Sequence, residues 1–346
     1  MSDIAIFSDI HLGVHQNSDF WLDLSEKWVD WFVADIKSRG IDMVIFAGDY
    51  LHYRDEVSVK TLHAASNILN KFDGLKLYMI TGNHDCYYKD TSEVHSLSIC
   101  SGRKNVHVID SLQTINLQGI NITFCPWGTK VSDIPQSEIL VGHFELINFK
   151  MNAFKVCEQG DEPTEMLSKA PLVFSGHFHT RDEKEYSGKH IIYVGNPFQM
   201  DFGDAYQRKG YYILHTNSDN LFKFVESTFT PKHLRVMLSE LITFPDVDRW
   251  FNESVKDNII KLVIDKNISS NHLDLLTTKI LAFKPADLRV DYDINYNKMT
   301  VNNDTGVDLS GIDITKAIED FINLLDVNNK PDIIRYTLEL YAKSKI

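Results

Sequence analysis

Apolar residues recur along this chain at two spacings. Short unbroken runs (Ile4-Ala5-Ile6-Phe7, Met43-Val44-Ile45-Phe46, Leu77-Tyr78-Met79-Ile80, Ile139-Leu140-Val141 and Leu172-Val173-Phe174) have the length and character of buried strands. Two longer stretches repeat at helical spacing: Trp21, Leu24, Trp28, Trp31, Phe32 and Ile36 in one, and residues 57–72 in the other. Strands alternating with helices predict an α/β protein, with a mixed or parallel sheet flanked by helices. The aromatic stripe of the first helix is read as core. From Asn105 the elements shorten, with strands expected at 106–110, 113–117 and 120–127. Segments 190–198, 210–216 and 221–228 then read as short strands closing a second sheet.

The pattern changes after Thr228. Residues 229–300 predict a smaller α/β domain: strands at 233–238, 259–265 and 287–294, and helices at 245–256 and 272–283. This ferredoxin-like order carries no phosphate loop and no cluster of metal-ligating residues, and so reads as a substrate-capping or dimer-supporting module. Residues 301–312 are polar and turn-rich, as a linker is. Beyond them, 313–346 holds two short amphipathic helices. One presents Ile314, Ala317, Ile318, Phe321 and Leu325 on one face, the other Ile334, Thr337, Leu338 and Tyr341. Helices this short gain little stability alone, so their stripes are expected to pack onto the body or to dock onto a partner.

Composition narrows the class. At 346 residues about two domains are expected, and 43% hydrophobic with 24% charged residues is ordinary for a globular protein. No apolar stretch approaches the roughly 20 residues that cross a bilayer, and no membrane association is expected. The chain enters a strand at Ile4 without a basic segment and apolar core before it, so no signal peptide is expected. Cys86, Cys100, Cys125 and Cys157 are scattered without a CxxC pair, as in a reducing, cytoplasmic compartment. Cys86 is read as packing. The net charge of −13 disfavours tight, unaided binding to nucleic acid, which would need local basic patches or a basic partner.

The candidate chemistry sits where the strands end. Each of the five apolar runs leads into a polar cluster: Asp9-Ile10-His11, Gly48-Asp49, Gly82-Asn83-His84-Asp85, Gly142-His143 and Gly176-His177-Phe178-His179. Any one of these is common by chance. Five in order, all at strand ends, line up on one rim of a sheet, where ligands of open α/β sheets bind. Carboxylate, amide and imidazole donors without a thiolate suit hard or borderline divalent metals such as Mn²⁺, with Mg²⁺, Fe²⁺ and Zn²⁺ as alternatives. So many donors have room for two divalent metal ions sharing one carboxylate, the arrangement used for in-line displacement at phosphorus. A metal-dependent phosphoester hydrolase is therefore expected.

These motifs resemble the calcineurin-like metallophosphoesterase superfamily, and within it the SbcD-type recombination and repair nucleases. The order of segments along the whole chain is similar to that of T-even bacteriophage endonuclease subunits that pair with an SMC-like ATPase. The resemblance implies a two-sheet sandwich flanked by helices over residues 1–228. It implies one metal site of Asp9, His11, Asp49 and His179 and another of Asp49, Asn83, His143 and His177, with Asp49 bridging. His84 matches a histidine that acts on the phosphoryl or leaving-group oxygen. His52 stands where the related phosphatases carry an aspartate and the nucleases a histidine, and it is taken as catalytic with His84. The turn Gly195-Asn196-Pro197-Phe198 also matches, whereas Tyr53-Arg54 departs from the family's pattern. Implied too are DNA ends and single strands as substrates, a coiled-coil SMC-like ATPase as partner and a homodimer within the complex. The expected activity is 3′-to-5′ exonuclease on duplex ends and endonuclease on single strands. Two alternatives stand beside it: a phosphomonoesterase or cyclic-nucleotide phosphodiesterase, and a non-catalytic DNA-end tether.

Overall fold

A computed structural model of the chain describes residues 3–89, 91–216, 221–293, 322 and 329–343. The four parallel strands β1 (Ile4–Phe7), β2 (Met43–Phe46), β3 (Lys76–Ile80) and β4 (Val106–Ile109) form most of a first sheet. A second sheet is built on β6 (Ile120–Cys125), β7 (Ile139–Gly142), β8 (Leu172–Ser175) and β10 (Lys189–Tyr193), again parallel. Its edges are the antiparallel strands β5 (Gln113–Leu117) and β9 (Asp182–Tyr186).

Side-chain alternation along each strand decides what lies on either face. In β1, Ile4 and Ile6 join Met43 and Ile45 of β2, Phe124 of β6, Val141 of β7 and Phe174 of β8 in one buried cluster between the sheets. Ala5 and Phe7 point the other way, into a cluster with Trp28, Phe32 and Ile36 of the Asp19–Ser38 helix and Ile68 of the Val59–Lys71 helix. Phe7 anchors this layer, its ring 5.4 Å from Trp28, 4.9 Å from Phe32 and 4.8 Å from Phe46. A third cluster covers the far face of the second sheet with Met166 and Leu167 of the Pro163–Lys169 helix. The expected two-sheet sandwich flanked by helices is what the chain forms.

One expectation is corrected. Of the three late strands, only β10 joins the second sheet. β11 (Gly210–Leu214) runs antiparallel to β1, and β12 (Phe222–Glu226) pairs with it, giving the first sheet the order β12-β11-β1-β2-β3-β4. Alternation in Tyr211, Tyr212, Ile213 and Leu214 suits either sheet. Partner choice is settled by where the outer faces pack, with Tyr211 and Ile213 in the helix-side cluster.

By compactness the chain divides into two units. The first comprises Met1–Arg235, Asp248–Lys261 and Lys279–Leu288; the second comprises Val236–Val247, Leu262–Thr278 and Arg289–Ile346. Strands β13 (His233–Met237), β14 (Ile259–Ile264) and β15 (Asp287–Tyr292) form a three-stranded sheet in that order, with a helix at Ser270–Ala282. The expected helix over 245–256 is present as a helical run, α-helical at Val247–Trp250 and π-helical at Phe251–Val255. There Asn252 Nδ2 donates to the Asp248 carbonyl at 2.8 Å, a side chain competing for the backbone. A helix at Lys330–Lys343 carries the second terminal stripe. The linker and, apart from Ile322, the first terminal helix expected from the sequence lie outside the described residues.

Candidate metal centre

The backbone brings the strand-end motifs together by continuing the sheet past its last strand residues. The Asp9 N–H donates to the Gly48 carbonyl (3.0 Å), that of His11 to Asp49 (3.1 Å) and that of Leu12 to Tyr50 (2.9 Å). Asp9, His11, Asp49 and His177 have φ of 54°, 47°, 63° and 90°. Each left-handed non-glycine residue costs on the order of 1–3 kcal/mol, and such strain gathers where a side chain must be aimed. Two close approaches need glycine. A Cβ at Gly82 would overlap the Asp49 carboxylate, and one at Gly176 would overlap the Ala47 carbonyl and Ser8 Oγ.

All seven residues expected as ligands converge. Asp49 Oδ2 lies 3.5 Å from His11 Nε2 and 3.4 Å from His143 Nε2, so one oxygen faces both halves of the site. On one side His11 Nε2 is 2.9 Å from His179 Nε2 and 3.9 Å from an Asp9 oxygen. On the other, Asn83 Oδ1 lies 3.0 Å from His143 Nε2 and 2.9 Å from His177 Nδ1. Two imidazole nitrogens crowded at 2.9 Å on one side, and an amide oxygen between two more on the other, fit donors converging on a cation. The hard and borderline donors suit divalent ions of the Mn²⁺ or Mg²⁺ kind.

A surrounding layer of hydrogen bonds fixes these groups. His143 Nδ1–H donates to the Ala47 carbonyl (2.8 Å), which turns Nε2 to the site. Asp9 accepts the His177 N–H (3.1 Å), and Asp49 Oδ1 accepts that of His84 (2.8 Å), so Oδ2 is the oxygen left facing both sides. Sequence reasoning missed the anchor of this layer. The fully buried Asp85 carboxylate accepts the N–H groups of Asp49 (2.8 Å), Tyr50 (2.9 Å) and Gly82 (2.9 Å). Left unpaired, each would cost about 1–3 kcal/mol. Its place beside Asn83 and His84 was visible, but not the loop it holds. Trp127 was missed as well; its ring packs 5.1 Å from that of His177 while its indole N–H donates to the Lys89 carbonyl.

His52 and His84 stack 5.4 Å apart with an interplanar angle of 17°. His84 Nδ1–H donates to the His52 carbonyl at 2.6 Å. The nitrogens of His11, His52 and His84 also lie within 4.8 Å of one another. Asp9, His11, Asp49 and His143 are buried, whereas His52, Asn83, His84, His177 and His179 are partly exposed and form the mouth. Cys86 is buried and free, as its packing role requires.

Burial pushes the Asp9 carboxyl up to about 7. Burial works against the Asp49 carboxylate too, but the facing His143 imidazole holds it well below the ordinary range. His143, which burial alone would lower, is raised to about 9 by Asp49. Burial keeps His11 and His179 low, and takes His177 down to about 3 and His52 to about 4. In the metal-free protein the two raised groups act in one direction between pH 6.5 and 9. Stability from the raised His143 is full below its unfolded value near 6.5 and is lost as pH rises through about 9. A buried carboxyl raised to about 7 likewise penalises folding as it ionises. The lowered histidines are neutral in the folded state, and because their unfolded forms are still partly protonated near pH 6.5, they oppose the fall at the start of that range and add nothing once the unfolded rings are neutral. The melting temperature in EDTA is therefore expected to fall from pH 6.5 to 9, and Mn²⁺ binding to release protons. Calorimetry in buffers of different ionisation enthalpy measures both, and a melting temperature that rises with pH would show that Asp49 and His143 are not charged partners.

With the fold and donor set in view, comparison identifies the class. Residues 2–219 match the calcineurin-like phosphoesterase superfamily domain, and the chain belongs to that family. It is an enzyme, a metal-dependent phosphoesterase. Over 99% of both chains it is 25% identical to exonuclease subunit 1 of Enterobacteria phage T4. It is 26% identical to putative phosphoesterase 244L of Invertebrate iridescent virus 6, over 76% of this chain and 89% of that one. Among solved structures, a dimetal phosphatase from Danio rerio superposes with a TM-score of 0.40 at 11% identity, covering 61% of this chain and 91% of that one. No helix among the described residues is long and apolar enough to cross a membrane.

Proposed function

We propose that the chain is a dinuclear DNA nuclease, acting as a 3′-to-5′ exonuclease on duplex ends and an endonuclease on single strands. The observation that carries this is the His52–His84 pair. With His52 lowered to about 4, the ring is neutral at physiological pH. The stacked pair lines this part of the mouth with imidazoles in place of a carboxylate, which would repel a phosphodiester already carrying one negative charge. The similarity to a phage exonuclease subunit over nearly the whole chain supports the same reading.

Asp9, His11, Asp49 and His179 would hold one ion, and Asp49, Asn83, His143 and His177 the other, with Mn²⁺ preferred. When bound, two such ions offset phosphoryl charge and lower the pKa of an attacking water. The chain's own residues do the rest. His84, with Nδ1–H spent on the His52 carbonyl, is left to use Nε2. In the protonated form it donates to a phosphoryl oxygen or protonates the departing alkoxide. His52 positions the long substrate at the partly exposed mouth.

Residues 1–228 would form the nuclease domain and 229–300 a cap that engages DNA. The terminal helices would dock onto an SMC-like coiled-coil ATPase within a dimeric cytoplasmic complex acting in recombination and repair. In the Lys330–Lys343 helix, Ile333 and Tyr336 are exposed, which suits docking. With a net charge of −13, the chain gains most from a partner that brings DNA to it.

The test is turnover on end-labelled duplex and single-stranded DNA with Mn²⁺ or Mg²⁺, beside a small bis-ester and a monoester. DNA cleavage is expected to exceed turnover of either ester. Rapid monoester hydrolysis with inert DNA would turn the assignment to a phosphatase.

A further inference from the structure

Behind the centre lies a buried ion pair that the proposed chemistry does not use. Lys209 is 3% exposed and Asp204 2%, with Nζ 2.7 Å from Oδ1. Lys209 Nζ also donates to the main-chain carbonyl of His179 at 2.6 Å. Asp204 Oδ2 accepts from Asn196 Nδ2 (2.7 Å) and the Met200 N–H (2.9 Å). The Asn196 N–H closes the ring on the same His179 carbonyl, at 3.2 Å. One carbonyl thus receives two donors, from the residue before β11 and from the Gly195-Asn196-Pro197-Phe198 turn, with the Asp204 carboxylate tying both together. The imidazole of that same residue faces His11 at 2.9 Å.

Buried ion pairs seldom out-stabilise an apolar pair of similar volume, so closing a loop does not by itself call for one. Fixing a backbone whose side chain must sit in one place does. We infer that Lys209, Asp204 and Asn196 are positioning residues, which clamp the His179 backbone so that its imidazole keeps its place beside Asp9 and His11. This rests on the reading of His179 as a metal ligand. Other partners of metal-ligating groups, when removed, typically lower metal affinity about 10–100-fold.

Lys209→Met alone strands the Asp204 charge and is expected to lower the melting temperature of the metal-free chain. The double variant Asp204→Asn/Lys209→Met removes both charges at nearly constant volume and is expected to recover that temperature. In a calorimetric Mn²⁺ titration, the double variant should hold one ion as wild type does and the other about 10–100-fold more weakly. Its turnover should recover as Mn²⁺ is raised. Asn196→Ala, which leaves the ion pair whole, should weaken the same ion by a smaller factor. Wild-type affinity for both ions in the double variant and in Asn196→Ala would reduce the cluster to a structural element and leave the metal-centre reading standing. A wild-type chain that binds fewer than two Mn²⁺ overturns that reading, and the clamp's role with it.

Discussion

Asp49→Asn is expected to lower DNA hydrolysis by more than about 10³-fold, because such catalysis is chiefly electrostatic and this residue is its pivot. Asp49 Oδ2 is within 3.5 Å of both His11 Nε2 and His143 Nε2, while Oδ1 is occupied by the His84 N–H. An amide cannot satisfy both demands. With its oxygen toward the histidines it carries no charge to hold two cations together, and its NH₂ then meets the His84 N–H donor to donor. The other orientation turns a donor into the centre. Folding should survive, because Asp85 rather than Asp49 secures the loop through the N–H groups of Asp49, Tyr50 and Gly82. Single-turnover cleavage, Mn²⁺ titration and thermal denaturation of the purified variant separate these effects. Near-wild-type turnover with both ions bound would remove Asp49 from the bridging position.

His84→Ser should cost about 10²–10⁴-fold in turnover, the range for losing a general acid, with both ions and DNA affinity retained. The ring's orientation is set by Nδ1–H donating to the His52 carbonyl, and serine replaces neither that bond nor the ring nitrogen Nε2. The outcome also tests a competing arrangement. The nitrogens of His11, His52 and His84 lie close enough to share an ion of their own. Loss of one Mn²⁺ in the variant, with His52→Ala showing the same loss, would make His84 a ligand and overturn its role as acid.

The centre was legible in the sequence because each candidate ligand follows an apolar run. A buried strand must end where its apolar residues stop, and parallel strands place those ends together. Asp9, His11, Asp49, Asn83, His143, His177 and His179 all follow that logic, and the structure brings all seven to one place. Asp85 was in plain view, yet its contribution comes through N–H groups more than thirty residues away as well as in its own turn. Lys209 and Asp204 were harder still. Each reads as an ordinary surface charge until Asn196 and the His179 carbonyl enclose the pair. The placement of β11 failed for a related reason. Alternation tells which face of a strand is apolar but not which neighbour it takes.

That late neighbour has a bearing on how the protein is made. β1 leaves the ribosome well before β11, and β2 can pair with one of its edges soon after β1 emerges. The other edge waits for Gly210–Leu214. At about 5–20 residues per second, synthesis of the intervening chain takes roughly 10–40 s. Throughout that interval Ile4-Ala5-Ile6-Phe7 presents an apolar strand with an open row of backbone donors and acceptors, a template for pairing with another nascent chain. Metal cannot shorten the wait, since His177 and His179 arrive only shortly before β11. Chaperone occupancy during translation, more than the stability of the finished fold, would then set how much active protein a cell obtains.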